Sequence, residues 1–364
     1  MHLEEVDTPA LLIDLDPFER NIARLAAAVA GTGVRLRPHA KTHKCAAIAL
    51  RQMAAGAVGV CSQKVSEAEA LVYGGVPDVL ISNQVVGARK IARLMALARQ
   101  ARIAVCADDA SNVAALSAAA AAAGLRLSVL VEVNVGMERC GVEPGDPVLA
   151  LAGQIAASPG LRFAGLQAYH GSAQHVRDYA ERQAAVARAA ALIRATVELL
   201  RRNGLDPESI TGAGTGTYAF EASSGLWNEL QCGSYVFMDA DYLKNRQEDG
   251  APGSAFESSL FVYATVMSRP ARDRAILDAG LKALSVDSGL PRLADGTGAE
   301  YVAASDEHGK VMLREPAPDL PLGSKVRLIP GHCDPTVNLY DWYVCYRGDR
   351  VEAVWPVTAR GAVL

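Results

Sequence analysis

Val34-Arg35-Leu36-Arg37-Pro38-His39-Ala40-Lys41-Thr42-His43-Lys44 is the stretch whose reading decides the fold. It opens as a short strand, Val34–Pro38, and ends in His39 and Lys41, two groups that can carry positive charge, with no glycine. A doubly wound open sheet carries a glycine-rich phosphate loop after its first strand. A (β/α)8 barrel instead gathers reactive side chains at the C-terminal ends of all its strands. The stretch fits the barrel.

Working outward, the same texture recurs. Ala57–Cys61, Val79–Ser82, Ile103–Ala107, Ser128–Asn134, Phe163–Tyr169, Ile210–Ala213 and Leu230–Phe237 are short strand-like runs, each joined to the next by an Ala/Leu/Arg segment of helical length. With the first stretch they make about eight βα units, the number a barrel needs. Pro17–Val29 and Val176–Arg202 are the clearest amphipathic helices, and Gly204 stands where a C-cap belongs. Beyond Gly250 helical periodicity fades. Phe261–Met267, Val326–Ile329, Trp342–Tyr346 and Val351–Val354 read as strands between Gly, Pro and Asp turns. The expected organisation is a barrel over residues 1–250 and a mostly β domain over 251–364, with the first strand, Ala10–Leu15, free to join either part.

Composition narrows the function. Half the residues are hydrophobic and 21% are charged, so the chain can bury a core. A net charge of −4 disfavours nucleic acid, whose phosphates demand a basic face. The acidic start, MHLEEVDTPALLIDLD, does not resemble a signal peptide, and no run approaches the ~20 apolar residues of a membrane span. A cytoplasmic protein is expected. Seven scattered cysteines with no CxxC pair read as buried small hydrophobes and not as a zinc site.

Unusual clusters fall at the strand ends. Lys41, partly desolvated and near other cations, should have a lowered pKa and act as an amine nucleophile toward an aldehyde; the plain alternative is a solvated basic loop. Asn134-Val135-Gly136-Met137-Glu138-Arg139-Cys140-Gly141 lets Arg139 turn into the barrel mouth, where it can hydrogen-bond an anionic oxygen, or pair with Glu138 or Glu143 on the surface. Tyr169 and His170 close the sixth strand. Thr211-Gly212-Ala213-Gly214-Thr215-Gly216-Thr217 and Gln231-Cys232-Gly233-Ser234-Tyr235 resemble two halves of a phosphate cup, with exposed backbone N–H groups and hydroxyl donors at strands seven and eight. Far off in sequence lies Pro330-Gly331-His332-Cys333-Asp334-Pro335-Thr336. On an extended segment His332 and Asp334 share a face, and an imidazole with a carboxylate suits a divalent cation; the alternative is Asp334 capping a turn.

The motifs RPHAKTHK, MERCGVEPG, QAYHGSAQH, TGAGTGTY, QCGSYVFMD and PGHCDPTVNLYD, in order from Arg37 to Asp341, resemble the D-threonine aldolase and D-serine dehydratase family of pyridoxal-phosphate (PLP) enzymes. That resemblance implies the alanine racemase-like, fold-type-III (β/α)8 barrel with a C-terminal β domain, working as a homodimer. Lys41 matches the lysine that binds PLP covalently. Arg139 matches an arginine near the ring's phenolic oxygen, and Tyr169 a tyrosine near the pyridine nitrogen. Thr215, Gly216, Gly233, Ser234 and Tyr235 fall in the phosphate-binding segments, and Gln63 after the second strand also lines the site. His332 and Asp334 match the metal pair, with His332 a candidate for the proton transfer. The dehydratase branch carries Cys where Asp334 stands and uses zinc. Asp334 therefore favours the aldolase branch and a harder ion, manganese ahead of magnesium, cobalt or calcium. The activity implied is that of a lyase cleaving D-β-hydroxy-α-amino acids to glycine and an aldehyde. The alternatives are a D-3-hydroxyaspartate aldolase, a D-serine dehydratase-like ammonia-lyase, and a PLP carrier, which would lack the C-terminal β domain.

Overall fold

The computed structural model describes residues 1–295, 298–315 and 319–364. β1 (Ala10–Asp14) and α1 (Leu15–Val29) lead into the eight strands of a parallel sheet: β2 (Arg35–Leu36), β3 (Val60–Ser62), β4 (Asp78–Gln84), β5 (Arg102–Ala107), β6 (Leu127–Glu132), β7 (Leu161–Ala168), β8 (Ser209–Gly212) and β9 (Glu229–Leu230). Between them run α2 (Ala46–Ala54), α3 (Val65–Tyr73), α4 (Ala88–Leu97), α5 (Ala110–Ala123), α6 (Asp146–Ala157), α7 (Tyr179–Arg202) and the short α8 (Tyr218–Ser223). The strand order is β2-β9-β8-β7-β6-β5-β4-β3. The ring closes between β2 and β3, where Val58 N donates to Leu36 O and Cys61 N to Pro38 O, each at 2.9 Å. The chain thus forms the eight-stranded barrel anticipated from the strand count.

Period-two alternation along each strand builds two separate cores. Val60, Val79, Ile81, Val105, Val129 and Val131 face outward and join the main core under the helices. Their neighbours Cys61, Leu80, Cys106, Leu130 and Ala164 face inward and fill the barrel. Toward the strand starts, Arg37 donates to Glu229 at 2.9 Å and to Asp78 at 2.6 Å, so the interior ends in ion pairs instead of open water. All seven cysteines are free thiols, six of them buried, which matches their reading as small hydrophobes. Helix ends follow local chemistry. Asp109 accepts from Ser111 N and Asn112 N to start α5, which Gly124 ends in the left-handed region at φ 67°.

After the barrel come β10 (Leu260–Ala271), β11 (Arg274–Leu277), β12 (Arg292–Leu293), β13 (Ala299–Ala304), β14 (Gly309–Leu313), β15 (Lys325–Ile329), the one-turn helix α9 (Cys333–Val337), β16 (Trp342–Arg347) and β17 (Arg350–Pro356). They form a nine-stranded sheet together with β1, which pairs antiparallel with β10 and parallel with β16. The N-terminal strand therefore belongs to the C-terminal sheet. That sheet is tied to the barrel by Ala240 N donating to Pro330 O at 2.9 Å, Ala359 N to Lys44 O at 2.9 Å, and Tyr343 OH to His43 O at 2.6 Å. Among the described residues no helix is long and apolar enough to cross a membrane.

One strand is shorter than its sequence suggests. In the run Leu230–Phe237 regular strand ends at Leu230, backbone pairing fades after Gln231 N to Gly212 O (2.7 Å) and His39 N to Cys232 O (3.1 Å), and Ser234–Val236 forms a 3-10 turn. Gly233 is wedged against Thr42, whose Oγ1 would lie 2.6 Å from a Cβ there, so the chain must leave the sheet at that point.

Gly165 tests the barrel wall. Its φ is 139°, and a Cβ would sit 1.9 Å from Ser209 O on the neighbouring β8. Gly165→Ala should cost about 1–3 kcal/mol or more, because both backbone and neighbouring strand must shift. Gly153, inside α6 with nothing within 4 Å of its Cβ position, is the control. Gly153→Ala should add roughly 0.5–1 kcal/mol. Urea midpoints at constant slope measure both.

Candidate active site

The C-terminal ends of the barrel strands surround a cavity lined by Lys41, Gln63, Arg139, Tyr169, Thr215, Gly233 and Ser234, all expected site residues, together with His39, Thr42, Gln167, Gln231 and Tyr242. Lys41 leaves β2 in a 3-10 turn, and its backbone N–H donates to His39 Nδ1 at 3.3 Å. The other ring nitrogen of His39 lies 3.0 Å from Gln63 Nε2 and 3.0 Å from Ser82 Oγ, which fixes the ring at the cavity wall. Burial, reinforced by the Lys41 charge, holds the His39 pKa well below the imidazole range, so this histidine is neutral.

Lys41 departs from expectation in its charge. Its Nζ donates to Asp334 Oδ2, which arrives from the C-terminal sheet. Burial pulls the Lys41 pKa down, but the facing Asp334 carboxylate outweighs it, and the pKa is raised. The lowered pKa expected from neighbouring cations is therefore corrected in direction. A carboxylate 293 positions away in sequence overrides the local basic cluster. Asp334 responds in kind. Burial pushes its carboxyl up, yet the Lys41 ammonium beside it outweighs burial and holds it at about 2.

The two phosphate-type segments meet in this cavity, at Thr215 from one and at Gly233 and Ser234 from the other. Thr215 Oγ1 is buried with no hydrogen-bond partner, a donor waiting for an acceptor. Gly214 admits no side chain, since a Cβ would lie 2.5 Å from Gln174 Oε1. Gly216 and Tyr235 are placed differently. Gly216 lines a neighbouring hollow, and its N–H already donates to Gln174 Oε1 at 3.0 Å. The Tyr235 ring turns into the core against Phe256, and its hydroxyl accepts from Gln52 Nε2 at 3.1 Å. An aromatic ring with a satisfied hydroxyl is better buried than at a wet rim.

Arg139 faces the cavity, while Glu138 and Glu143, its alternative partners, accept instead from Asn134 Nδ2 at 3.0 and 2.9 Å. The Tyr169 phenol is pushed up by burial, against the pull of Lys41 and Arg139, and so stays protonated. Lys41, Arg139, Tyr169 and the unpartnered Thr215 hydroxyl fit a PLP-sized aromatic aldehyde with an anionic arm.

His332 is extended, but Asp334 sits in the first turn of α9 and not on a continuing strand. Cys333 is fully buried, but α9 begins at Cys333, so the alternation expected of an extended segment does not run on to Asp334. Asp334 Oδ1 is buried without a partner, which suits a cation held jointly with His332. Among the described residues no three His, Cys, Asp or Glu side chains converge, so such an ion would keep most of its positions for water or substrate. His332 Nδ1 lies 2.8 Å from Asp287 Oδ2. Asp239, buried and pushed up to about 6 mainly by that burial, accepts from Cys333 N at 3.3 Å. Asp287, Asp239 and the reciprocal amide pair Gln167–Gln231 (3.0 and 2.7 Å) had no signal in the sequence, because each is defined by a partner far along the chain.

Comparison with known proteins agrees with the fold. Residues 13–241 match the family described as alanine racemase, N-terminal domain, and residues 259–346 match a serine dehydratase domain. A D-threonine aldolase of Arthrobacter sp. is 51% identical over 99% of this chain and 94% of its own length. A 3-hydroxy-D-aspartate aldolase of Paracoccus denitrificans (strain Pd 1222) is 46% identical over 99% of this chain and 94% of its own. The crystal structure of D-threonine aldolase from Filomicrobium marinum superposes with a TM-score of 0.96 at 52% identity, covering 100% of this chain and 98% of that one.

Behind the phosphate-type loop lies a buried relay. Gln174 Nε2 donates to Thr217 Oγ1 at 2.8 Å, and Thr217 Oγ1 donates to Glu221 Oε1 at 2.8 Å. Glu221 Oε2 has no partner, and burial pushes this carboxyl up to about 7. A carboxyl raised in the folded state above its unfolded value is tolerated while protonated. It costs stability as pH climbs from the ordinary carboxyl value through 7. Between pH 5 and pH 8 the wild type should lose ~2–3 kcal/mol relative to Glu221→Gln. Denaturation of both proteins across that range measures the gap, and a constant difference would refute the buried ionisation.

Proposed function

Because the chain belongs to the D-threonine aldolase and D-serine dehydratase-like family, built on the alanine racemase barrel, we propose that it is a PLP- and divalent-metal-dependent D-threonine aldolase. The reaction is the reversible retro-aldol cleavage of D-β-hydroxy-α-amino acids to glycine and an aldehyde. The observation that carries this reading is the meeting of Lys41, from the barrel, with Asp334, from the C-terminal sheet, at the mouth of one cavity.

When bound, PLP would supply an electron sink for the carbanion and a divalent ion, manganese foremost, would acidify the β-hydroxyl. The chain's own residues do the rest. Lys41 Nζ would be the amine that holds the cofactor's aldehyde carbon. Arg139 and Tyr169 approach the cavity as a guanidinium and a neutral phenol, which orient an aromatic ring without protonating it. The free Thr215 hydroxyl, with Gly233 and Ser234, holds the anionic arm. Asp334, ionised at neutral pH, serves as an anionic ligand and not as a proton acceptor. That leaves His332, or a water beside it, to take the β-hydroxyl proton.

One observation favours a second reading, D-3-hydroxyaspartate as substrate. Arg177 and Lys244 share the single carboxylate of Asp241, at 2.5 and 3.4 Å, which leaves one positive charge over beside Tyr242 of the cavity wall. Such a cluster would suit a second substrate carboxylate. The homodimer and cytoplasmic setting of the family complete the proposal.

Four measurements decide. D-Threonine, D-phenylserine and D-3-hydroxyaspartate should each be tested for glycine plus aldehyde; keto acid plus ammonia instead would make the protein a dehydratase. L-Threonine should turn over far more slowly than D-threonine. Borohydride should fix PLP to the peptide holding Lys41, and a label on Lys44 or Lys64 would overturn that role. Chelation, or Asp334→Ala, should abolish aldehyde release, by orders of magnitude where the hydroxyl must ionise unaided, while the bound-cofactor absorbance persists. Loss of that absorbance with the activity would make His332 and Asp334 structural.

A further inference from the structure

His332 is held from behind by a carboxylate. Its Nδ1 lies 2.8 Å from Asp287 Oδ2 and 3.3 Å from Ser288 Oγ. Asp287 is itself constrained. Its Oδ1 accepts from Ser285 Oγ at 2.7 Å, and its Oδ2 accepts from Ser288 Oγ at 3.0 Å. The turn that carries it is fastened to the turn that carries His332. Ser285 N donates to Thr336 Oγ1 at 3.1 Å, and Thr336 Oγ1 donates to His332 O at 2.8 Å. These bonds close a ring, so the position of Asp287 relative to the imidazole is set by two backbones and not by one flexible side chain.

The consequence is chemical. A carboxylate can only accept a hydrogen bond, so the neutral imidazole carries its proton on Nδ1 and keeps the Nε2 lone pair. A cation, or the proton of a substrate hydroxyl, needs that lone pair. An anionic acceptor on the far nitrogen also makes the ring a stronger base, and it stops the ring from turning about its bond to the chain. Ser288 adds a second contact on the same side, and Asp334 provides the carboxylate on the metal-facing side.

We propose that Asp287 is the positioning residue for His332, fixing its tautomer and orientation for a divalent ion shared with Asp334. This rests on the metal-dependent reading above. Outer carboxylates of this kind commonly contribute 10–100-fold to metal affinity.

The test is a Mn²⁺ titration of the PLP-loaded full chain, with free ion followed by electron paramagnetic resonance and the cofactor by its visible absorbance. Asp287→Ala should weaken Mn²⁺ binding about 10–100-fold with the cofactor band unchanged. Asp287→Asn keeps an acceptor oxygen but loses the charge, and it should show a smaller loss. The Asp287 side chain is 49% exposed, so truncation opens no cavity. Should the alanine variant lose its cofactor band, the isosteric asparagine decides by the same titration. Wild-type Mn²⁺ affinity in both variants overturns the proposal. A loss as complete as that of His332→Ala also overturns it, since Asp287 would then be a ligand. No Mn²⁺ binding by the wild type would instead remove the metal-dependent reading itself.

Discussion

The active cavity depends on the seating of the α9 turn against the open end of the barrel, where Asp334 meets Lys41. The ion pair does not itself supply the stability, because two partly desolvated charges lose in hydration much of what they gain in attraction. What holds the seat is packing and backbone pairing. Phe18, Phe237, Tyr343 and Trp355 stack with centroid separations of 5.8–6.5 Å, joining α1, the segment after β9 and both final strands. Ala240 N to Pro330 O and Cys333 N to Asp239 Oδ2 then set the approach of His332 and Asp334. Each half needs the other. The barrel alone presents an amine and an anion cradle, and the sheet alone presents an imidazole and a carboxylate with nothing to act on.

Charge within the cavity is sorted by burial and by partner. Lys41 is cationic and Asp334 anionic because they face each other, whereas His39 is neutral because burial dominates and its nearest charge is a cation. Tyr169 keeps its proton for the same reason of burial. The result is a pocket with fixed donors and acceptors that do not change state near neutrality, which is the condition for holding a reactive ring in one orientation. The Glu221 carboxyl lies outside this set but touches it through Thr217 and Gln174, which also receives the Gly216 N–H.

Much of this was legible from residue order. Alternation at period two, with valine and isoleucine outward and Cys, Leu and Ala inward, is a local property, and so is the helical spacing between strands. Eight such units admit a closed ring. The absence of glycine after Leu36 disfavoured the usual open sheet, and the glycines at 214 and 233 stand where the backbone comes close to Gln174 and Thr42. Lys41, Arg139, Tyr169 and Thr215 could be placed at one mouth because strand ends are collinear with sequence. The N-terminal strand was ambiguous for an equally physical reason: Ala10–Asp14 is apolar enough to pair with any sheet, and only its partners β10 and β16 assign it.

What sequence determined alone was therefore the set of elements and the residues that must stand at their ends, since these follow from short-range periodicity, turn chemistry and steric need. What tertiary structure decided was every property set by a distant partner. The raised pKa of Lys41 comes from a carboxylate 293 positions away. The burial of the Tyr235 ring comes from Gln52 and Phe256, and the hold on His332 comes from Asp287, 45 positions before it. Electrostatic and hydrogen-bond energies depend on separations of a few ångströms in space, and spacing along a chain does not encode them until the chain has folded.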